Sequence, residues 1–397
     1  MVTGKTVHNH LKIRIETRLT NPNIIDPMTS LDEFAKAFID YIAENHSKKV
    51  ALIFTYGSYA RGKLTETSDL DLAYITETGE IDCLYNSFIY NGIGNEFWPI
   101  SWKRLERIAS AKEHYPVAAA MLAYSKILWS RSEDDLYRFN AFKTQIEEYR
   151  RPEKKPFMIK KALDIYQEVY VSIAKLAIEE TLSGTRALAI KTTIDCCEAL
   201  GYANQTYFSS GWGSNHQEVL DLKHRPEKLQ KQMETIASSM KKQEIREAAI
   251  NLAQDTRKTL IKLQEDATES SNLKENLRDY YPGIIEYVNK IKTSQRKGDK
   301  IKSTFAAYTI QNELTQMLSH GINTRFNTPS ESSVNYHKQG LPDLLENPSN
   351  LNENADKLET ETGKLFNKLG LTQNKVENLN EFKKIIREKC RKTDPCN

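Results

Sequence analysis

A short apolar run, a Gly-Ser turn and a pair of aspartates constrain the fold of this chain more than any other feature. Residues 50–56 are apolar and β-prone and lead directly into Gly57, which predicts a buried strand. Gly57 lets the backbone approach a ligand closely, and Ser58 opens the next turn with a hydroxyl and backbone N–H groups. The sequence therefore predicts a strand that delivers an anion-binding turn, which suits the oxygens of a triphosphate.

The residues after this turn continue the same pattern. Arg61 lies on the same short predicted helix and can add charge-assisted hydrogen bonds to a polyanion. Gly62 then releases the chain toward a second strand, which Ser68 precedes. Each of these residues, found alone, more often belongs to an ordinary turn. Together they form a compound pattern that favours a functional site. We therefore predict that Gly57, Ser58, Arg61 and Ser68 bind a nucleotide.

Asp69 and Asp71 are two residues apart on a stretch, residues 69–74, that predicts a strand. Their carboxylates leave the same face, roughly 6 to 7 Å apart along the chain, while Leu70 and Leu72 face the core. This spacing suits two Mg²⁺ ions about 3.5 to 4 Å apart, which clamp the attacking and leaving oxygens of a displacement at phosphorus. We predict Asp69 and Asp71 as catalytic metal ligands.

Over residues 50–75 the chain resembles the DNA polymerase β superfamily of nucleotidyltransferases, and within it the kanamycin and lincosamide nucleotidyltransferases. The resemblance implies Mg²⁺-dependent transfer of a nucleoside monophosphate, with ATP as the default among possible triphosphates and pyrophosphate as the leaving group. It also implies a third catalytic and metal-binding carboxylate, for which Glu96 is the candidate and Asp82 the competitor. Glu96 is otherwise a surface carboxylate. A homodimer is among the partners that the family suggests.

A helical stretch at residues 155–182 offers a general base. Lys161, Asp164, Glu168 and Lys175 fall near one stripe of this helix because spacings of three, four and seven residues return to one face. In the resembling enzymes a glutamate on the first helix of the helical domain acts as base and a lysine further along contacts phosphate. The resemblance therefore assigns catalysis to Glu168 and nucleotide binding to Lys175. The neighbouring Gln167 and Val171 mark other registers, and a solvated face with ion pairs remains an equally good interpretation.

Length and composition indicate an enzyme of several domains. The 397 residues exceed one typical core, and a net charge of +3 from balanced opposite charges argues against a dedicated nucleic-acid surface. We expect a cytoplasmic protein because no long apolar run or leader stretch is evident. The five cysteines have neither disulfide nor zinc spacing, and the adjacent Cys196 and Cys197 are predicted to pack in a helical core.

The fold class that we predict is α+β. Residues 1–150 are predicted to form a catalytic α/β domain with a small mixed sheet, and the charged, proline-containing stretch near residue 150 marks its end. Residues 151–266 predict a helical bundle and residues 277–397 a further helical region, partly flexible around 327–354, where Asn, Ser and Pro are frequent. The role of the last region stays open.

Three functions remain from the sequence. The first is adenylation of a hydroxyl on an aminoglycoside-like or lincosamide-like small molecule. The second is nucleotidyl transfer to a protein or tRNA, as in toxin–antitoxin systems, and the third is a silent nucleotide-binding regulator, which the intact Ser58, Asp69 and Asp71 disfavour. A Gly-rich loop at residues 209–216 offers Trp212 and His216 as substrate contacts, although such a loop is more often a simple turn.

Overall fold

The computed structural model describes residues 27–63, 65, 68–78, 84–209, 211, 215–267, 273–319, 328–373 and 375–383. The chain divides into two compact units, Met1–Ala267 and Thr268–Asn397. Among the described helices, none combines the length and the apolar character that crossing a bilayer requires. The competing carboxylate Asp82, the predicted loop contact Trp212 and the cysteines at 83, 390 and 396 lie outside the described residues.

The first unit contains a five-stranded mixed sheet with the strand order β3-β4-β2-β1-β5, which confirms the predicted α+β class. The strands are β1 (Val50–Thr55), β2 (Asp71–Thr76), β3 (Asn86–Tyr90), β4 (Ile93–Ser101) and β5 (Lys126–Ser130). Strand β4 runs parallel to β2, and the other neighbouring pairs are antiparallel. Every residue of β1 is buried, as its apolar sequence predicts for a central strand.

Five described helices precede, separate or follow the strands of this sheet along the chain. They are α1 (Pro27–Asn45), the single turn α2 (Gly57–Ala60), α3 (Trp102–Ala109), α4 (Tyr115–Ala123) and α5 (Glu133–Glu148). Phe38 of α1 packs against Tyr74 and Phe97 of the sheet, with ring centroids 5.5 and 5.0 Å apart. This packing buries the apolar face of α1 at spacings of three and four residues, which is what keeps it helical.

The rest of the first unit is helical, with α6 (Lys155–Ile178), α7 (Leu182–Ala203), α8 (His216–Leu220), α9 (Leu229–Ser238) and α10 (Lys242–Ala267). Arg186 donates to the carbonyls of Ile236 and Ala237 at the end of α9, each at 2.7 Å. A cation at these otherwise unpaired carbonyls stabilises the helix end. The buried Cys196 and Cys197 lie in α7 as free thiols, as predicted. The boundary predicted near residue 150 falls inside one compact unit and stays a prediction.

The second unit has its own apolar core. Its helices are α11 (Leu273–Leu277), α12 (Tyr281–Arg296), α13 (Lys300–Leu318), α14 (Pro329–Ser332), α15 (Val334–Lys338) and α16 (Leu351–Lys368). Ile284 and Val288 of α12 are fully buried together with Ile310 of α13. Within residues 327–354, the structure places α14, α15 and the buried Tyr336, so this segment contributes to the core. Its predicted flexibility stays a prediction.

Candidate active site

The turn after β1 sits directly against the first residue of β2. Gly57 has a φ of +68°, and a Cβ added to it would lie 2.0 Å from Oδ2 of Asp71. Any side chain at position 57 would therefore displace the Asp71 carboxylate, besides being strained at this φ. The close approach that the sequence predicted for Gly57 is made to a carboxylate of the chain itself, and it fixes where that carboxylate stands.

Asp71 and Glu96 are register partners in the parallel pair of β2 and β4. Asp69 lies two residues earlier, outside the strand that was predicted to begin there, because the N–H of Leu70 donates to Oδ1 of Asn95 at 2.9 Å instead of joining the ladder. The structure thus brings Asp71 and Glu96 together where the inner strand β2 begins, hereafter the sheet edge, with Asp69 on the loop that leads into it.

Pro99 does not prevent β4 from being an inner strand of the sheet. Pairing of β4 with β3 extends only from Ile93 to Phe97, whereas pairing with β2 continues to Ser101. Pro99 lies past the stretch that is paired on both sides, so its missing N–H costs β4 no bond to β3. Pro99 is therefore compatible with a register that places Glu96 opposite Asp71.

The three carboxylates repel one another. Burial, and next the charge of Asp69, raises the pKa of Asp71 from 3.8 to about 7; Glu96 also raises it, while a hydrogen bond from Tyr56 lowers it. Glu96 accepts a hydrogen bond from the hydroxyl of Tyr85, which fixes one of its oxygens. A partly buried anion surrounded by like charges is unfavourable unless a cation joins it. The electrostatics of this edge therefore favour a positively charged ligand.

Two aromatic residues support Asp71 and were missed as functional residues in the sequence. The Tyr56 hydroxyl donates to Asp71 and accepts from Nε1 of Trp98 at 2.7 Å. The Arg104 guanidinium stands 5.6 Å from the Trp98 ring centroid. Burial, and next the charge of Asp71, raises the pKa of Tyr56, so this hydroxyl stays protonated and keeps donating. The available signal was position, since Tyr56 precedes the turn and Trp98 is on the strand of Glu96.

Arg61 connects the turn to the helical part of the same unit. Its Nε donates to the carbonyl of Gly57 at 3.2 Å, and its Nη1 donates to Oγ of Ser209 at 2.7 Å. Ser209 is in turn held by Glu218, which accepts from both the N–H and the hydroxyl of Ser209 at 2.7 and 2.9 Å. The loop predicted to reach the site through Trp212 or His216 therefore reaches Arg61 through Ser209. His216 is exposed at the start of α8.

Ser68 has a local structural role. Its hydroxyl accepts from the N–H of Thr65 at 2.8 Å, which closes the turn before Asp69. Ser58 lies in α2 beside Gly57 and is half-buried. Both positions flank the carboxylate edge, and the nucleotide-binding roles predicted for them stay predictions.

Glu168 and Lys175 are exposed on α6. The groups that set the pKa of Asp71 are Tyr56, Asp69 and Glu96, and Glu168 is not among them. Glu168 instead acts on Asp195 of α7, whose pKa is raised by burial and further by the Glu168 charge. The structure thus places Glu168 beside a second acidic cluster, and the catalytic roles of Glu168 and Lys175 stay predictions.

This second cluster was not identified from the sequence. Asp195 and Glu198 lie one turn apart on α7 with side chains only 6% and 4% exposed. Lys191 donates to Oδ2 of Asp195 at 2.6 Å, and Nδ1 of His114 stands 3.0 Å from Oε1 of Glu198. Because each carboxylate has a basic partner, the cluster is internally satisfied. Its residues gave no signal because nothing in the α7 sequence marks which face is buried.

The donor set at the sheet edge has the chemistry of a Mg²⁺ site. All three side chains, Asp69, Asp71 and Glu96, offer carboxylate oxygens, which hard divalent cations prefer, and their mutual repulsion would be relieved by such an ion. In the part of the chain that the structure describes, no group of three or more His, Cys, Asp or Glu side chains is arranged to hold a metal ion. The three carboxylates thus fit Mg²⁺ by charge and ligand type, but their side chains do not stand in the arrangement of a metal centre.

Comparison with known families identifies both halves of the first unit. Residues 38–134 match the family model of the polymerase beta nucleotidyltransferase domain, and residues 137–266 match the KNTase C-terminal domain, together more than half of the chain. Residues 38–134 are a polymerase beta nucleotidyltransferase domain. This nucleotidyltransferase therefore combines a catalytic domain of that superfamily with a helical domain of the kanamycin nucleotidyltransferase type, which confirms the resemblance and the predicted class of enzyme.

Comparisons with individual proteins give little further information about this nucleotidyltransferase. A solved structure described as a nucleotidyltransferase-like protein from Exiguobacterium sibiricum 255-15 is 13% identical, with a TM-score of 0.30, and the match covers 68% of this chain and 92% of that one. At this TM-score the likeness carries no argument. None of the curated proteins matches the chain.

Proposed function

We propose that the protein transfers a nucleoside monophosphate, AMP from ATP by default, to a hydroxyl of a small molecule such as an aminoglycoside-like antibiotic. The observation that carries this proposal is the pairing of Asp71 with Glu96 beside the Gly57 turn, with the charge of Asp69 acting on Asp71, in a chain that also has a KNTase C-terminal domain. The acceptor oxygen would bond to the α-phosphorus, pyrophosphate would leave, and the hydroxyl proton would pass to a base of the protein.

The residues of the chain would divide this work. Gly57, Ser58, Arg61 and Ser68 would bind the triphosphate beside the sheet edge, and the resemblance adds Lys175 as a phosphate contact and Glu168 as the base. Asp69, Asp71 and Glu96 would hold two Mg²⁺ ions. When bound, these ions supply positive charge to the phosphate oxygens and the leaving pyrophosphate.

Arg61 is a cation that forms a hydrogen bond to the turn itself. It donates to the carbonyl of Gly57, and its guanidinium can form two or more charge-assisted bonds to phosphate oxygens. Ser209 and Glu218 support its position from the helical part of the unit. This arrangement supports a role for Arg61 in orienting the triphosphate.

The direct test is nucleotidyl transfer by the purified protein. It would be incubated with Mg²⁺, each of the four nucleoside triphosphates and a panel of aminoglycosides and lincosamides, and the products would be examined by mass spectrometry for an added nucleoside monophosphate. We expect a modified drug with one preferred triphosphate, and no product from Asp69→Asn. Asp134→Asn, at an exposed position in the first turn of α5, is the matched control and should transfer normally.

The same experiment separates the competing function. If no small molecule is modified and labelled nucleotide appears instead on protein or RNA in a cell lysate, the acceptor is a macromolecule, and the small-molecule proposal fails. Normal transfer by Asp69→Asn would contradict the metal-ligand assignment. Size-exclusion chromatography of the same sample tests the homodimer that the family suggests, and fractionation of cells tests the proposed cytoplasmic location.

A further inference from the structure

A cavity of about 700 Å³ lies within the second unit, for which no function has been assigned. This volume is within the range of pockets that bind small molecules. Its walls come from α13 and from the segment that carries α14 and α15. Most of its lining residues are of polar type, among them Gln311, Asn312, Thr315, Asp343 and Glu346, but the surface that they expose is both polar and apolar. A ligand with polar groups and an apolar face would therefore match it.

The floor of the cavity is polar and buried. Thr315 and Ser332 are each 6% exposed, and Ser333 is 8% exposed. The hydroxyl oxygen of Ser332 has no hydrogen-bond partner among the described residues. That oxygen is closed to solvent, so a ligand in the cavity would bond the other polar groups that line it.

One wall is a carboxylate held in a fixed orientation. Oδ1 of Asp343 accepts from the N–H groups of Leu345 and Glu346 at 2.8 and 3.1 Å, and from Nε2 of Gln311 at 3.2 Å. Its other oxygen, Oδ2, stands 4.0 Å from Nε2 of His337. This fixed carboxylate and that of Glu346 both line the cavity. Two carboxylates accept hydrogen bonds from a ligand and repel phosphate.

An aromatic ring lies beside these polar groups. The side chain of Tyr308 is 55% exposed and lines the same cavity, one helical turn from Gln311 and Asn312 on α13. An exposed ring next to carboxylates, amides and hydroxyls offers an apolar face together with hydrogen-bond donors and acceptors. A ligand with many hydroxyl groups and an apolar ring face matches both kinds of surface.

We propose that this cavity binds an uncharged polyhydroxylated molecule of the size of a mono- or disaccharide. The hydroxyls of such a ligand would donate to Asp343 and Glu346 and exchange hydrogen bonds with Thr315 and Asn312. The binding is independent of the nucleotidyl transfer proposed above, because every lining residue lies in the second unit.

The test is direct binding to the full chain. Saturation-transfer NMR and calorimetry would be run with glucose, maltose and myo-inositol, and with inorganic phosphate and AMP as anionic comparisons. We expect saturable binding of at least one polyol. Thr315→Val and Asn312→Ala should each weaken it by about 3- to 10-fold, as the loss of a neutral hydrogen bond does.

Thr309→Val is the matched control. It makes the same change on the same helix, but the Thr309 hydroxyl donates to the carbonyl of Phe305 at 2.8 Å, and Thr309 does not line the cavity. We expect it to leave polyol binding unchanged. The proposal is overturned if no polyol binds, if Thr309→Val weakens binding as much as Thr315→Val, or if phosphate or AMP binding is the one that Thr315→Val reduces. Asn312→Ala replaces Thr315→Val if the latter does not fold.

Discussion

At the scale of single residues, Asp71 stands where its charge is disfavoured. Burial, together with Asp69 and Glu96, raises its pKa from 3.8 to about 7, so the folded protein binds a proton that the unfolded chain releases between these two values. Stability therefore falls as the pH rises from about 4 to about 7, and it levels off above that. A shift of this size corresponds to roughly 3 to 5 kcal/mol of free energy of unfolding.

Asp71→Asn removes this cost, so we expect the variant to be more stable than the natural protein in metal-free buffer. Its advantage should grow as the pH rises from about 4 and reach a plateau of roughly 3 to 5 kcal/mol above pH 7. Thermal unfolding of both proteins in a chelator, over a series of pH values, measures it. The exposed Asp134→Asn should follow the natural protein at every pH, and an Asp71→Asn curve that does the same would refute the charge argument.

Gly57 and Gly62 form a matched pair for testing the close approach to Asp71. Both have positive φ, +68° and +66°, but a Cβ at Gly57 would meet the Asp71 carboxylate, whereas nothing lies within 4 Å of one at Gly62. We expect Gly57→Ala to abolish nucleotidyl transfer, because the carboxylate must move. Gly62→Ala should cost only about 1 kcal/mol of stability and keep activity. Steady-state kinetics and thermal unfolding separate the two; equal losses of activity would mean that backbone strain alone matters.

At the scale of elements, the parts of the site that follow from local sequence were predictable and the parts that depend on pairing were not. The strand of residues 50–55 and the turn at Gly57 are encoded by neighbouring residues, so they could be predicted from one another. The pairing of Asp71 with Glu96 depends on two strands finding a register, and only the family resemblance suggested Glu96. Asp69 was wrongly assigned to the strand, because the N–H of the next residue, Leu70, donates to the side chain of Asn95, which is distant in sequence.

The contact between Arg61 and Ser209 illustrates the limit more strongly, since 148 residues separate them. No periodicity or motif connects a turn after a strand with a loop after α7. Tyr56 and Trp98 were missed for the same reason: each is an ordinary strand residue until the sheet places one beside the other. Tertiary pairing, rather than propensity, selects these partners.

The loop that follows α7 should control how Arg61 meets its ligand. In Ser209→Ala, Arg61 loses the hydroxyl that accepts its hydrogen bond at 2.7 Å. We expect the KM for the triphosphate to rise about 2- to 10-fold with little change in kcat, as the loss of one hydrogen bond to a neutral acceptor would give. Ser238→Ala is the control, because that hydroxyl donates to the carbonyl of Glu234 at the end of α9. A loss in kcat with unchanged KM would instead assign the loop to the chemical step.

At the scale of the whole molecule, the two compact units have separate cores, and every residue predicted for nucleotidyl transfer lies in the first of them. Among the described residues, the core cluster of the second unit, which includes Ile284, Ile310 and Leu358, draws on residues 273–371. A core of its own is what an independent domain needs.

A chain that ends at Ala267 should therefore fold and transfer nucleotide at an unchanged rate. The measurement is steady-state kinetics of the shortened and full chains with the same triphosphate and acceptor, with circular dichroism to establish that the shortened chain is helical. A folded but inactive shortened chain would show that the second unit contributes to the reaction. An active one would assign the second unit a separate role, for which its cavity is the candidate site.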